Sequence, residues 1–149
     1  MSTNKLHIFL ILTALMTMLL TGGCTYNNGD IGPLFGNWKL HSIETDDPQY
    51  AMEQMVPEGM GLFIAFQSST VKMYLVNPEG SADNRYGNYR LEDNTLFLDF
   101  PDTDLAHGHP LLGLPDVCEL QLLRLDGNRL VLRREPTPQT EVIYTFHKW

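Results

Sequence analysis

Residues 62–76 have the sequence LFIAFQSSTVKMYLV, and this stretch decides the fold. Apolar residues occur at every second position on either side of a short polar connection, at Leu62, Ile64, Phe66, Val71, Met73 and Leu75. A period of two places the apolar side chains on one face of a β-strand. Because only a few polar residues separate the two runs, the stretch predicts an antiparallel hairpin with one dry face.

The same alternation continues along most of the chain. It predicts eight strands, at residues 35–43, 62–67, 71–76, 85–91, 95–100, 118–125, 129–134 and 141–147. A change of phase near Leu122 and Leu123 predicts a β-bulge, and Gly87 predicts a bulge or bend within its strand. Before the second strand, Asp47 and Pro48 suit the cap and first position of a short helix, which we expect over residues 48–55.

Eight consecutive strands favour an all-β fold in which an antiparallel meander closes on itself as an up-and-down barrel. Closure is favoured because it pairs the two exposed edges of the sheet. A two-sheet β-sandwich would give the same strand pattern and stays the alternative. The predicted inward side chains are bulky: Leu62, Ile64, Phe66, Val71, Met73, Leu75, Leu96, Leu98, Phe100, Leu120, Leu130, Leu132, Tyr144 and Phe146. Such bulk favours a packed interior over a large internal cavity.

The first residues of the chain have the pattern of a secretory signal. Lys5 supplies a positive charge, residues 6–20 are almost entirely apolar, and Gly22-Gly23 precede Cys24. A charged start, an apolar core and a small-residue exit are the parts of such a signal. The alternative is a retained transmembrane anchor, which is disfavoured because this run is too short for a hydrocarbon core of about 30 Å.

The Gly22-Gly23-Cys24 sequence resembles a bacterial lipoprotein signal, in which a peptidase cuts before a lipid-modified cysteine. Thr21 departs from the family, which prefers leucine three residues before the cysteine. The resemblance implies removal of residues 1–23, acyl chains such as palmitate on Cys24, a flexible tether over residues 24–33 and a domain over residues 34–149. Because Thr25 is not an acid, we expect anchoring in the bacterial outer membrane, with the leaflet unspecified.

Gly36-Asn37-Trp38 resembles the Gly-x-Trp motif that opens the lipocalin barrel, and residues 128–132 and 143–148 are similar to the last two strands of lipocalin-like envelope lipoproteins. The chain departs from true lipocalins in lacking the Thr-Asp-Tyr-type turn and the helix that packs on the barrel. The resemblance implies a lipocalin-like fold and a general binding role. It also places Trp38 at the barrel floor beside a basic side chain, either Arg134 or Lys148.

Charge argues against a nucleic-acid partner. The chain has 18 Asp and Glu against 10 Lys and Arg, for a formal net charge of −8, and it contains no basic cluster. Phosphate binding needs a positive surface. The acids are scattered, as is typical of solvated loops and strand faces.

Few residues have a pattern suited to chemistry. Asp102, Asp104, His107 and His109 share one short stretch and could serve a divalent metal, but a solvated loop with ordinary polar residues is the favoured explanation, because zinc motifs usually draw their ligands from separated segments. Once Cys24 is acylated, Cys118 is the remaining thiol, and its alternating context predicts a buried hydrophobe. The sequence has no nucleophile motif and no phosphate loop, so we expect neither an enzyme nor a cofactor.

Two function classes remain open. The first is an envelope lipoprotein whose barrel binds a small apolar or amphipathic ligand. The second is a structural or accessory lipoprotein with a packed barrel that binds an envelope protein through its loops. The connection over residues 101–117 contains Leu111, Leu112 and Leu114, so we expect it to fold over one barrel end with its leucines against the rim. His41 and His147 are expected to meet on the surface where the first and last strands pair.

Overall fold

The structure is a computed structural model that describes residues 32–80, 82–101 and 111–149. Within these ranges, eight antiparallel strands form a closed barrel in which each strand pairs with its sequence neighbours and β8 returns to β1. The strands are β1 (Gly36–Thr45), β2 (Gly61–Gln67), β3 (Thr70–Val76), β4 (Ala82–Glu92), β5 (Thr95–Asp99), β6 (Val117–Leu125), β7 (Arg129–Thr137) and β8 (Thr140–Lys148). The predicted up-and-down barrel is confirmed, and the sandwich alternative was wrong. The predicted signal, Cys24 and most of the tether lie outside the described residues.

The interior of the barrel is packed by the inward face of every strand. Of the fourteen predicted inward residues, thirteen are buried, and Leu75 is partly buried at the rim. Trp38 and Leu40 of β1 join the same core. The period of two in the sequence therefore corresponds directly to the two faces of the barrel wall.

Local irregularities of the sheet follow from particular residues. The register of β6 against β7 shifts between Leu122 and Arg124, which confirms the predicted bulge. A second shift, between Leu40 and Ser42 on β1, was not predicted. β3 pairs with β4 without a shift at Gly87, so no bulge occurs there. Gly87 is required for another reason, because a Cβ at this position would overlap the backbone of Asp99.

The expected helix over residues 48–55 is instead two short pieces, a 3-10 turn at Pro48–Tyr50 and α1 at Met52–Met55. Asp47 caps the first piece as predicted, because its side chain accepts a hydrogen bond from the Gln49 amide at 2.9 Å. Ala51 between the pieces is extended. In one continuous helix, Tyr50 and Met52 would point to different sides, whereas the break lets both pack against the core.

The two ends of the barrel differ. The floor is the end where β1 begins and where tight turns join β2 to β3, β4 to β5 and β6 to β7. The mouth is the opposite end, where the longer connections leave β1, β3 and β5 and a two-residue turn joins β7 to β8. Candidate sites therefore belong mainly to the mouth, where connections have room to form pockets.

Candidate functional site

The mouth of the barrel is closed by residues 111–116, here called the mouth plug. Leu112 and Leu114 are 2% and 1% exposed and belong to the core, and Leu111 packs against it. This confirms that the leucines of the long connection fold against the barrel. Asp102, Asp104, His107 and His109 lie outside the described residues, so their orientation and the metal alternative stay predictions.

Arg85 of β4 holds the plug from inside the barrel. Its side chain is buried, and its Nη1 donates to the Leu114 carbonyl oxygen at 2.8 Å. Its Nη2 donates to Asp116 Oδ1 at 2.6 Å, and the guanidinium lies 4.3 Å from the centre of the Phe100 ring. These contacts compensate for burying the charge, apart from the Nε, which has no partner within the described residues. Arg85 was not predicted as a functional residue, although it shares the inward parity of Gly87 on β4.

A second arginine holds the other side of the plug. Arg134 Nη1 donates to the Gly113 carbonyl oxygen at 2.9 Å, and the Tyr144 hydroxyl lies 3.4 Å from the Leu112 carbonyl oxygen. Burial raises the pKa of Tyr144 to about 12, so the phenol is protonated and able to donate. The plug is thus attached to β4, β7 and β8 through its backbone carbonyls. Arg134 therefore works at the mouth, and its assignment as the partner of Trp38 was wrong.

The floor matches the role implied for Trp38. Its side chain is 1% exposed, and its Nε1 donates to the Leu34 carbonyl oxygen at 2.8 Å. Lys148 Nζ lies 4.2 Å from the centre of the indole ring and also donates to the Phe35 carbonyl oxygen. Desolvation lowers the pKa of Lys148. The predicted pairing of Trp38 with a basic residue of the last strands is confirmed for Lys148.

A cavity of about 730 Å³ lies outside the plug and is here called the mouth pocket. Its lining combines thioether, aliphatic and aromatic groups with amides and one carboxylate: Gln49, Tyr50, Gln54, Met55, Pro57, Met60, Leu75, Asp83, Leu111 and Gly113. This volume is typical of sites for small molecules. Apolar walls with a few polar groups suit an amphipathic compound, and methionines adapt to irregular ligand shapes.

Gly113 connects the mouth pocket to the plug. Its φ of +62° is in the left-handed region that favours glycine, and a Cβ at this position would lie 3.3 Å from the Tyr50 ring. A larger residue would therefore strain the backbone and crowd the Tyr50 ring, which lines the pocket. The pocket wall and the plug depend on the same turn.

The remaining candidates are structural. His41 and His147 stack with ring centroids 4.3 Å apart, as expected from the pairing of β1 with β8. No group of three or more His, Cys, Asp or Glu suited to a metal occurs within residues 32–80, 82–101 and 111–149. Cys118 is buried, and burial raises its pKa to about 11, although Arg134 and Arg85 partly oppose the shift. Cys118 is therefore a buried hydrophobe, as predicted, and a poor nucleophile.

Within the described part of the chain, no helix has the length and apolar character needed to span a membrane.

Comparisons with known proteins identify the fold. No protein-family model matches the chain, and no curated protein matches it. A lipocalin-like protein from Bacteroides uniformis is similar in structure, with a TM-score of 0.53 and 20% identity over 79% of this chain and 100% of its own. An uncharacterized protein from Bacteroides eggerthii matches with a TM-score of 0.55 and 19% identity over 78% of this chain and 99% of its own. At this identity the likeness shows the fold alone, and the fold is that of a lipocalin-like barrel.

Proposed function

We propose that this protein is a membrane-anchored envelope lipoprotein whose barrel is a non-catalytic binding module for a small apolar or amphipathic ligand. The observation that carries the binding role is the mouth pocket, which has the volume and mixed lining of a small-molecule site. The anchoring role is supported by Gly22-Gly23-Cys24 after an apolar run.

The ligand binds at the mouth and not inside the barrel. Leu112 and Leu114 occupy the space above the core, and Met73, Leu96 and Leu130 beneath are fully buried. An eight-stranded barrel filled in this way leaves no room for a ligand. The pocket accordingly lies between the plug and the connection from β1 to β2.

The lining indicates the chemistry of the ligand. Met55, Met60 and Leu75 offer an apolar surface, while Gln49 and Gln54 offer amide donors and acceptors. A compound with a short apolar part and a hydrogen-bonding head matches both groups. A purely apolar compound would leave the amides without partners when they lose water.

Native mass spectrometry of the lipoprotein purified from its own host tests the proposal. We expect a bound small molecule, and we expect a Met55→Gln/Met60→Gln variant to lose it because the apolar walls become polar. The matched control is Leu123→Gln, since Leu123 is an exposed apolar residue on β6 outside the pocket. Equal retention by both variants would remove the mouth pocket from the binding role.

The packed interior favours a second candidate, a structural or accessory lipoprotein that binds an envelope protein through its mouth connections. The core is complete without a ligand, since residues from all eight strands and the plug fill it. The same spectrum separates the two functions. A co-purifying polypeptide in place of a small molecule would support the second one.

A further inference from the structure

One outer side of the barrel carries aromatic rings and lysines, whereas the rest of the surface carries acids paired with arginines. We call it the aromatic wall, and its residues are Lys39, Phe63, Lys72, Tyr74, Tyr86 and Trp149. Strands β2 and β3 at its centre contain no Asp or Glu, and Lys72 is their one charged residue. In a chain with a net charge of −8, a side whose central strands lack acids differs in charge from the molecule as a whole.

Half of the wall is built around Phe63. Phe63 stacks on Tyr74 with ring centroids 5.1 Å apart and meets the edge of Trp149 at 5.5 Å. These neighbours leave Phe63 only 8% exposed, although it lies on the outward face of β2. Lys39 Nζ lies 4.7 Å from the Trp149 ring centre and 5.8 Å from that of Phe63. The rings and the lysine form one connected surface.

The other half repeats this arrangement on β3 and β4. Lys72 Nζ lies 4.8 Å from the Tyr74 ring centre and 5.3 Å from that of Tyr86. Tyr86 is 57% exposed and Trp149 is 71% exposed, which is costly in water for rings of this size. Exposed Trp and Tyr beside lysines are enriched where proteins meet the headgroup region of a membrane.

One end of the wall, at Lys39 and Trp149, lies near the floor. The chain that precedes β1 joins the barrel at the floor, and β1 itself contributes Lys39 to the wall. Cys24 is eight residues before Gly32. A fully extended chain of eight residues spans at most about 28 Å. Lys148, directly before Trp149, lines a floor groove of about 590 Å³. Arg124 and Arg129 line the same groove and add two cations at this end of the barrel, beside His147, Asp126 and Asn128.

We propose that the aromatic wall lies on the anionic headgroups of the membrane that holds the anchor, an inference that rests on the proposed anchoring. Trp149 and Tyr86 enter the interface, and Lys39 and Lys72 contact lipid phosphates. The acidic remainder of the barrel is repelled by the same surface, so the charge distribution selects one orientation. The mouth pocket is then free to take its ligand from the aqueous side.

Fluorescence of the intact acylated lipoprotein in vesicles tests the inference. The vesicles contain phosphatidylethanolamine and brominated phosphatidylglycerol, since bromine quenches tryptophan at short range. The chain has two tryptophans, of which Trp38 is buried and Trp149 is exposed. We expect strong quenching of the Trp149 emission. Trp149→Phe keeps an aromatic ring in the wall and reports Trp38 alone, so its emission should be unaffected.

A charge variant gives the second arm. Each lysine near an anionic surface favours binding about fivefold, so Lys39→Gln/Lys72→Gln should shift the docking equilibrium about 30-fold towards the free orientation and abolish most of the quenching. The matched control is Arg90→Gln/Arg133→Gln, which removes two cations from β4 and β7 that belong neither to the wall nor to the floor groove. It should keep the quenching.

The outcomes separate this inference from the proposed function. An acylated, vesicle-bound protein whose Trp149 is not quenched would overturn the orientation and leave the anchor intact. Quenching of equal strength in brominated phosphatidylcholine would overturn the role of charge. A Trp149 response to dextran sulfate without a response to brominated lipid would assign the wall to an anionic glycan instead. Absence of acylation and of vesicle binding would overturn the proposed anchoring, and this inference with it.

Discussion

Trp38 is the residue on which the floor of the barrel depends. It fills the base of the core, donates to the Leu34 carbonyl oxygen and supports the ammonium group of Lys148. One side chain thus connects the start of β1, the segment before it and the end of β8. This position could be predicted from the sequence, because the Gly36-Asn37-Trp38 motif and the alternation along β1 both placed the indole inward.

Replacing Trp38 by alanine should destabilise the barrel strongly. Truncating a buried tryptophan leaves a large cavity and costs about 3–5 kcal/mol, which is much of a typical stability of about 5–15 kcal/mol. Urea unfolding of a form that begins at Thr25 measures the effect as a lower midpoint. Trp149→Ala removes the same side chain from an exposed position and should shift the midpoint little. Equal midpoints for the two variants would contradict the floor assignment.

The long-range contacts of Arg85 were not predictable from the sequence. Its inward position on β4 follows from the period of two, but a charge inside a barrel is unexpected without a partner. The partners are the Leu114 carbonyl and Asp116, which are 29 and 31 residues away in the chain. Local patterns carry no information about contacts of that range, so the inward position of Arg85 could be predicted but its role could not.

The eight strands of the barrel were predictable from the sequence. The mouth plug was predictable only in part. Alternation found all eight strands, although β4 begins three residues early and β7 ends three residues late. In the plug, the apolar character of the leucines indicated that they would pack on the barrel. The turn at Leu112, with a φ of 58°, and the arginine bonds that fix it depend on tertiary contacts. These were not visible in the sequence.

Cys118 offers a direct measure of how firmly the plug is held. It lies just after the plug at the start of β6, buried and with a pKa raised to about 11. Its alkylation by iodoacetamide should therefore be slow at neutral pH and rise as pH approaches that value, because the thiolate is the reactive form. Arg85→Met removes both plug contacts of the guanidinium and also the positive charge that lowers the thiol pKa. We expect a faster reaction, because exposure of the thiol by the open plug should outweigh the smaller thiolate fraction.

The control for this experiment is Arg90→Met, which removes an arginine from the outer side of the same strand. It should leave the rate of alkylation unchanged. Circular dichroism should show that both variants keep the barrel. A rate in Arg85→Met equal to that of the unmodified protein would show that Leu112 and Leu114 hold the plug without the arginine.

At the scale of the whole molecule, the two ends of the barrel differ in structure and in their proposed roles. The floor is closed by Trp38 and short turns, and the mouth carries the plug and the pocket. The pocket is lined by the connection after β1, by β3 and β4, and by the plug. No single stretch of sequence therefore predicts it. The barrel could be predicted because its pattern is local and repeated, whereas the pocket exists only after folding.

The proposed anchor would hold the side of the barrel that carries the aromatic wall against the membrane, and the mouth pocket would stay open to water. Cys24 should carry the acyl chains, and more than one chain is needed because a single one binds membranes only marginally. Cells grown with an alkyne fatty acid should label the protein, and Cys24→Ala should remove the label. Cys118→Ala is the matched control and should keep it, since that thiol is buried in the barrel. Persistent labelling of Cys24→Ala would contradict the anchor, and the aromatic wall would then have no anchored membrane to face.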